Sequence, residues 1–116
     1  MYPIYATYMS NKILQAKRRI VEIKKEMQSI GPMRPGKLSQ QMRKNTKGEE
    51  YGSYWQLSYT YKMKSKTLYI PEELVPAVTE QNKELRRFKD LTEEWIDLAL
   101  LLAQTELEEE KKRLKN

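Results

Sequence analysis

The segment SYWQLSYTYKMKSKTLYI, residues 53–70, carries the clearest structural signal in the chain. Its first half alternates polar with apolar or aromatic positions, a period of two that is typical of a strand with one buried face. Trp55, Leu57 and Tyr59 form the side that we expect to be buried. A second strand is predicted at 66–70, after a tip without the glycine that favours a tight turn. Residues 53–70 are therefore predicted to form a β-hairpin.

A two-stranded hairpin is marginal in water by itself, so one face must pack on other elements and leave the other face free. Residues 9–30 are predicted to form a helix, because apolar residues recur there at alternating spacings of three and four. This spacing is the heptad pattern of a coiled coil. The pattern ends before Gly31 and Pro32, which favour termination of a helix. The heptad positions are Met9, Ile13, Ala16, Ile20, Ile23, Met27 and Ile30.

Residues 71–115 are predicted to form a helical region, with a short turn before regular helix begins near Pro76. An uninterrupted helix of about 40 residues would measure about 60 Å, which is long for a compact domain of this size. The segment Asp90-Leu91-Thr92-Glu93 also has the spacing of a capping box. We therefore favour a break or bend near Lys89 and Asp90 over one continuous helix.

Residues 31–52 are predicted to form a basic loop, because Pro35-Gly36, Lys47-Gly48 and Tyr51-Gly52 are turn signals. Gly36 suits a turn position that needs a positive φ. The fold class that follows is mainly α with one β-hairpin, in a single domain over residues 1–116. Its order is N-terminal helix, basic loop, hairpin and long C-terminal helical region.

The positive charge is concentrated in the middle of the chain. Residues 31–70 hold eight Lys and Arg against two Glu, whereas residues 71–116 have a net charge of −4. Clustered cations interleaved with aromatic residues are suited to phosphates and bases. The predicted nucleic-acid contacts are Arg34, Lys37, Arg43, Lys44, Lys47, Lys62, Lys64 and Lys66. The first helix is predicted to extend this surface through Lys17, Arg18 and Arg19.

The composition argues against several other classes of protein. The chain has no His and no Cys, so it lacks the usual ligands of zinc and the residues of a Ser-His-Asp triad or a Cys-His pair. We predict no enzymatic activity, no cofactor and no metal. No run of about 18 apolar residues predicts a membrane span. Residues 1–5 lack the pattern of a secretory signal, and a cytoplasmic location is expected.

Three segments together resemble a known prokaryotic family. They are residues 33–39 (MRPGKLS), residues 51–59 (YGSYWQLSY), and the basic hairpin that leads into residues 69–73 (YIPEE). They resemble small proteins often encoded near transposases and other mobile-element genes, over roughly residues 33–100. Many members carry Cys between the turn and the strand, whereas this chain has no Cys there. The resemblance implies a mobile-element or DNA context without a metal site.

The leading hypothesis is a small DNA-binding accessory or regulatory protein that contacts phosphates through the basic loop and the hairpin. One alternative is a helical module for protein–protein interaction or assembly, and a second is an RNA-binding protein. DNA is favoured over RNA as the partner, and no membrane partner is expected. A homodimer is also predicted, because two long helices leave apolar rows that one chain does not fully cover. The predicted interface consists of Phe88, Leu91, Trp95, Leu98 and Leu102.

Overall fold

A computed structural model describes residues 4–115, with side chains described from residue 8 onward. The prediction about a secretory signal rests on residues 1–5, most of which lie outside this description. The chain forms helix α1 (Ile4–Gln28), strands β1 (Lys37–Lys44), β2 (Glu50–Tyr61) and β3 (Lys64–Ile70), a short 3₁₀ turn (Glu72–Leu74) and helix α2 (Val75–Lys115). The predicted fold class is confirmed, because the chain has an N-terminal helix, then the strands that include the β-hairpin, and then a long C-terminal helix.

The strands form one antiparallel sheet in the order β1-β2-β3. Leu57 on β2 lies opposite Leu38 on β1 and Leu68 on β3. The predicted hairpin is confirmed as β2 and β3, joined by the two residues Lys62 and Met63, which both have positive φ. This backbone conformation matches the twist of two-residue hairpin turns, and the turn forms here without glycine.

The loop predicted for residues 31–52 is wrong over residues 37–44, which form β1, and over residues 50–52, which begin β2. The sequence of this segment gives little indication of a strand, because only Leu38 and Met42 are apolar and the segment contains no β-branched or aromatic residue. Its stability as a strand comes from pairing with β2, whose backbone donors and acceptors would otherwise form a long exposed edge. The pairing of β1 with β2 shifts register between Arg43 and Lys44, where Tyr51 of β2 is the extra residue.

The chain divides into two compact units, one comprising Gly31–Arg87 and the other the described residues up to Ile30 together with those from Phe88 onward. In the first unit, the start of α2 packs on one side of the sheet. Its core is Leu57, Ile70 and Val78, surrounded by partly buried Leu38, Trp55, Tyr59, Leu68 and Val75. Trp55 and Tyr59 therefore lie on the buried side, as predicted.

Helix α2 runs from Val75 to Lys115 without the break favoured near Lys89 and Asp90, and that prediction is wrong. No Gly or Pro follows Pro76 in this helix, so every later backbone N–H can continue the hydrogen-bond ladder. The hydroxyl of Thr92 donates to the carbonyl of Phe88 at 2.7 Å, within the helix and not at a cap. The predicted turn before α2 is confirmed by the 3₁₀ turn.

In the second unit, α1 packs antiparallel to the C-terminal part of α2. Arg19 pairs with Glu94, and Lys24 lies over the ring of Trp95 at 5.3 Å from Nζ to the centroid. Ala16, Ile23 and Leu91 are buried. The helix predicted at 9–30 is confirmed, although it begins at Ile4 and ends at Gln28. No helix in the described part of the chain has both the length and the apolar character needed to cross a membrane.

The predicted dimer interface is partly wrong. Leu91 is only 7% exposed, so it packs within its own chain. Leu102 borders a groove that also contains Ile13 and Lys17 of α1, and Leu98 is partly buried. The heptad periodicity correctly identified an apolar row on α2, but the row is divided: Leu91 is buried, whereas Phe88 is 38% exposed and borders an open groove together with Trp95. More exposed apolar residues of α2 include Ile96 at 53% and Leu100 at 63%, and Ile96 borders the same groove as Phe88 and Trp95.

Candidate nucleic-acid interface

The sheet has one face covered by α2 and one face open to solvent. We call the second of these the open face. Its residues are identified from the strand register and from the alternation of side chains along each strand. It consists of Lys37, Ser39, Gln41, Arg43, Gly52, Tyr54, Gln56, Ser58, Thr60, Ser65, Thr67 and Tyr69. Its central side chains are hydroxyls, amides and two tyrosines, in place of the apolar groups of the covered face.

Two tyrosines and an arginine form an aromatic cluster on the open face. The rings of Tyr54 and Tyr69 are 6.5 Å apart between centroids and are tilted by 35°. The guanidinium carbon of Arg43 lies 5.2 Å from the centroid of the Tyr54 ring, a cation–π contact. Tyr69 is 62% exposed. The exposed ring of Tyr69 can stack on a base, while Arg43, which contacts the neighbouring ring of Tyr54, can meet a phosphate.

Hydroxyl pairs continue the open face toward the β2–β3 turn. Ser58 and Thr67 share a hydrogen bond of 3.4 Å, and Thr60 and Ser65 share one of 2.9 Å. Residues 37–69 are all described, and none of the open-face positions among them is acidic. The open face therefore offers donors, acceptors, rings and positive charge without a carboxylate to repel a polyanion.

The cations predicted from sequence do not form one continuous surface. The β1–β2 turn with Lys44 and Lys47 lies at one end of β2, and the β2–β3 turn with Lys62 lies at the other. A strand of this length separates its ends by about 35 Å. The sheet therefore holds the cations of the β1–β2 turn apart from those of the β2–β3 turn, and the contacts predicted for them stay a prediction.

The strand cations are also divided between the two faces. Lys37 and Arg43 belong to the open face, about 20 Å apart along β1. Lys64 and Lys66 pair with Tyr61 and Tyr59, on the side of the sheet that includes Leu57. They are exposed, since they lie toward the turn and away from the buried core.

The two turns hold their lysines differently. In the β1–β2 turn, the side-chain oxygen of Asn45 accepts hydrogen bonds from the backbone N–H groups of Lys47 and Glu49, both at 2.9 Å. This Asx turn gives the backbone at Lys47 a defined conformation. At the other turn, Nζ of Lys62 lies 5.4 Å from the centroid of the Tyr61 ring.

Arg34 has a structural role that the sequence pattern did not indicate. Its Nε donates to the side-chain oxygen of Gln81 at 3.0 Å, and its backbone N–H donates to the carbonyl of Gln81 at 3.1 Å. The side-chain amide of Asn82 donates through Nδ2 to the backbone carbonyl of Arg34 at 2.8 Å. Together these bonds attach the segment before β1 to α2. We therefore interpret Arg34 first as a residue that positions β1.

Arg19 is unsuited to the phosphate surface predicted for it. It donates to Glu94 through Nε at 2.7 Å and Nη2 at 2.8 Å, and its Nη1 also reaches Glu22 and Glu26. These carboxylates raise the pKa of Arg19 above its already high value, and Arg19 lowers the pKa of Glu94. A phosphate would have to displace or join three carboxylates. The prediction for Arg19 is therefore withdrawn, because the acids of its own unit already neutralise it.

Lys17 and Arg18 are exposed on the same helix. Lys17 borders a groove that also contains Glu106 and Glu109, so its surroundings are partly acidic. Neither residue belongs to the unit that contains the sheet. We therefore give the open face priority over the first helix as the candidate interface.

Tyr54, Tyr69 and the open-face hydroxyls are absent from the contacts predicted by sequence. The alternation of residues 54–60 already implies a face opposite Leu57, so the pattern could have identified Tyr54 and its neighbours. The prediction of contacts was based on charge, so it included Lys and Arg and left out the tyrosines and hydroxyls of the open face. The position of Arg43 beside Tyr54 was beyond reach from sequence, since it depends on the register of the unpredicted strand β1.

This chain is thus a small α+β protein in which a helix covers one face of a three-stranded antiparallel sheet and a basic, aromatic face stays exposed. Residues 11–80 match the model of a family described as a domain of unknown function, DUF6788. The match includes more than half of the chain, and the chain belongs to this family. No curated protein and no solved structure matches the chain. Among the described residues, no group of three His, Cys, Asp or Glu side chains could hold a metal ion.

Proposed function

We propose that this protein binds nucleic acid through the open face of its sheet, with single strands preferred over duplex. The observation that carries the proposal is the cluster of Arg43, Tyr54 and Tyr69 on a face that lacks acidic residues. Stacking on exposed rings requires bases that are free of their own stack, which is why a single strand fits this face better than duplex. Lys37 and Arg43 supply positive charge along the same strand.

DNA is the favoured polymer, in an accessory or regulatory role and in a cytoplasmic setting. The mobile-element context comes from the sequence resemblance alone and stays a prediction, as does the absence of enzymatic activity. RNA would meet the same rings and cations, and the hydroxyl and amide side chains of the open face could also bond its 2′-hydroxyls. The binding experiment must therefore include both polymers.

The first experiment measures fluorescence anisotropy of labelled single-stranded DNA, duplex DNA and single-stranded RNA of one sequence, over a series of salt concentrations. Binding that weakens steeply with salt indicates phosphate contacts. We expect the tightest binding for single-stranded DNA. Equal or tighter binding of RNA would indicate that RNA and not DNA is the polymer bound. Absence of binding to all three probes would refute nucleic-acid binding by the open face.

A pair of matched variants tests the face. Tyr61 and Tyr69 are exposed by 61% and 62%, and they lie on opposite faces of the sheet. Tyr69→Ala should weaken single-strand binding by about 5- to 100-fold, the usual range for loss of one stacked base. Tyr61→Ala should leave binding within about twofold of the wild type. Equal losses in the two variants would show that the open face is not the binding surface.

A further inference from the structure

One side of α2 carries an exposed row of residues at regular heptad spacing. Ile96 is 53% exposed, Leu100 63% and Leu107 50%, and Ala103 between them is also exposed. Residues spaced alternately by three and four share one side of a helix. The segment of this row that the proposal uses, called the α2 stripe below, is Lys89, Glu93, Ile96, Leu100, Ala103, Leu107 and Glu110, and the same spacing continues to Leu114 near the end of α2.

We propose that the α2 stripe binds the α2 stripe of a second copy of this chain, antiparallel, with Ile96 of each copy opposite Leu100 of the other. The proposal is independent of nucleic-acid binding. It replaces the dimer surface predicted from sequence, because Leu91 of that surface is buried within the chain.

The charges of the stripe select this register. The two-fold arrangement places Lys89 opposite Leu107 of the second copy, with Glu106 and Glu110 of that copy on either side. The aliphatic stem of Lys89 can cover Leu107 while its ammonium group reaches a carboxylate. Glu93 falls opposite the small residue Ala103, which leaves its carboxylate access to solvent. All apolar positions from Ile96 to Leu107 are then covered by the second copy, whereas Leu114 lies outside the paired segment.

Other pairings of the same stripe are less favourable. A parallel pair in register places Lys89, Glu93 and Glu110 each against its own counterpart, and like charges in such positions repel. An antiparallel pair shifted by one heptad in one direction places Glu93 opposite Glu110. A shift in the other direction places Glu93 opposite Ile96 and leaves Leu107 uncovered. Contacts of Lys89 with Glu106 and Glu110, without facing glutamates inside the stripe, therefore favour a second copy of this chain in this register, with the two exposed Asp97 side chains at the solvent edge of the pair.

The first test is sedimentation of the full chain over a range of concentrations up to several hundred micromolar. The wild type should show a reversible monomer–dimer equilibrium. Ile96→Lys should be monomeric throughout. Val21→Lys is the matched control, because Val21 is 51% exposed on α1 and also β-branched, and it should leave the equilibrium unchanged. A monomeric wild type, or an unchanged dimer in Ile96→Lys, would overturn the proposal.

Charge exchange gives a second test that does not alter the apolar positions. Lys89→Glu should weaken the dimer at least about tenfold, since it adds a third carboxylate beside Glu106 and Glu110. The double variant Lys89→Glu/Glu106→Lys should recover most of this loss. No recovery, with circular dichroism that matches the wild type, would contradict the register.

The orientation is tested by cysteine crosslinking, for which the chain is suited because it contains no Cys. The single variants Ile96→Cys and Leu100→Cys, made with tags of different size, are mixed under mild oxidation. The antiparallel pair predicts that the crosslink between the two different variants exceeds both crosslinks between identical ones. A majority of Leu100→Cys homodimer would indicate a parallel pair and refute the proposed orientation.

Discussion

Arg19 on α1 donates two hydrogen bonds to the carboxylate of Glu94 on α2, from Nε at 2.7 Å and from Nη2 at 2.8 Å. Two parallel bonds of this kind fix the direction of both side chains as well as their separation. Arg19 lies between the buried residues Ala16 and Ile23 of α1. Its pair with Glu94 therefore sets the alignment of the two helices where they pack. Its dependence on pH can be predicted from the carboxylate.

The pKa of Glu94 is lowered from its ordinary value of 4.5, chiefly by the hydrogen bonds from Arg19. A group with a lowered folded-state pKa contributes stability above its unfolded-state pKa and loses that contribution as the pH falls through the folded-state value. Glu94→Gln should therefore unfold at lower urea concentration than the wild type at pH 7. The difference should disappear toward pH 3.

The matched control for this prediction is Glu22→Gln, because Glu22 contacts the same arginine with 64% of its side chain exposed. Its effect at pH 7 should be smaller than that of Glu94→Gln. A difference between Glu94→Gln and wild type that is equal at pH 7 and pH 3 would show that the negative charge of Glu94 is not the cause.

The division of cations between the two faces of the sheet predicts different binding losses. Lys37→Ala/Arg43→Ala removes two positive charges from the open face, and Lys64→Ala/Lys66→Ala removes two from the other side. The first pair should reduce the slope of log affinity against log salt by about 0.7 for each lost contact to a single strand. The second pair should change the slope less. A larger change of this slope in Lys64→Ala/Lys66→Ala would show that the phosphate contacts lie on the hairpin and not on the open face.

Trp55 and Tyr54 are neighbours with opposite expected effects on stability. Trp55 packs against the core of Leu57, Ile70 and Val78, so Trp55→Ala should destabilise the protein by about 3 kcal/mol. Tyr54→Ala on the open face should cost about 1 kcal/mol, since it loses the contacts with Tyr69 and with the guanidinium of Arg43 but no core packing. Chemical denaturation of the two variants provides the comparison. Equal destabilisation would contradict the assignment of the two faces.

Gly36 occupies a position that no other residue fits. Its φ is +127°, and a Cβ built there would lie 2.6 Å from Cδ1 of Leu57, the most buried side chain of the sheet. Gly36→Ala should destabilise by roughly 2–4 kcal/mol, the combined cost of overpacking and a left-handed backbone. Gly48→Ala isolates the backbone term, since Gly48 has a φ of +81° with nothing within 4 Å, and should cost about 1 kcal/mol. Thermal unfolding of both variants tests the difference.

The local signals of the sequence were sufficient for the two helices, the hairpin and the buried side of Trp55, Leu57 and Tyr59. Each of these follows from a repeat of 3.6 or 2 residues, which depends on neighbouring positions only. The positive φ at Gly36 was likewise predictable from the Pro-Gly pair. The same signals misjudged the capping pattern at Asp90, because a side chain that can cap a helix can also lie within one when no Gly or Pro interrupts the ladder.

Other features depend on partners distant in the chain. Strand β1 exists because β2 offers it backbone hydrogen bonds, and its own residues show little strand preference. Its register then places Arg43 beside Tyr54 and separates Lys37 from Lys64, which defines the candidate interface. On α2, periodicity located apolar residues around the helix, but only packing of α1 distinguished buried Leu91 from exposed Ile96. Charge and hydrophobicity are properties of single residues, whereas the face on which they act is a property of the assembled sheet and helices.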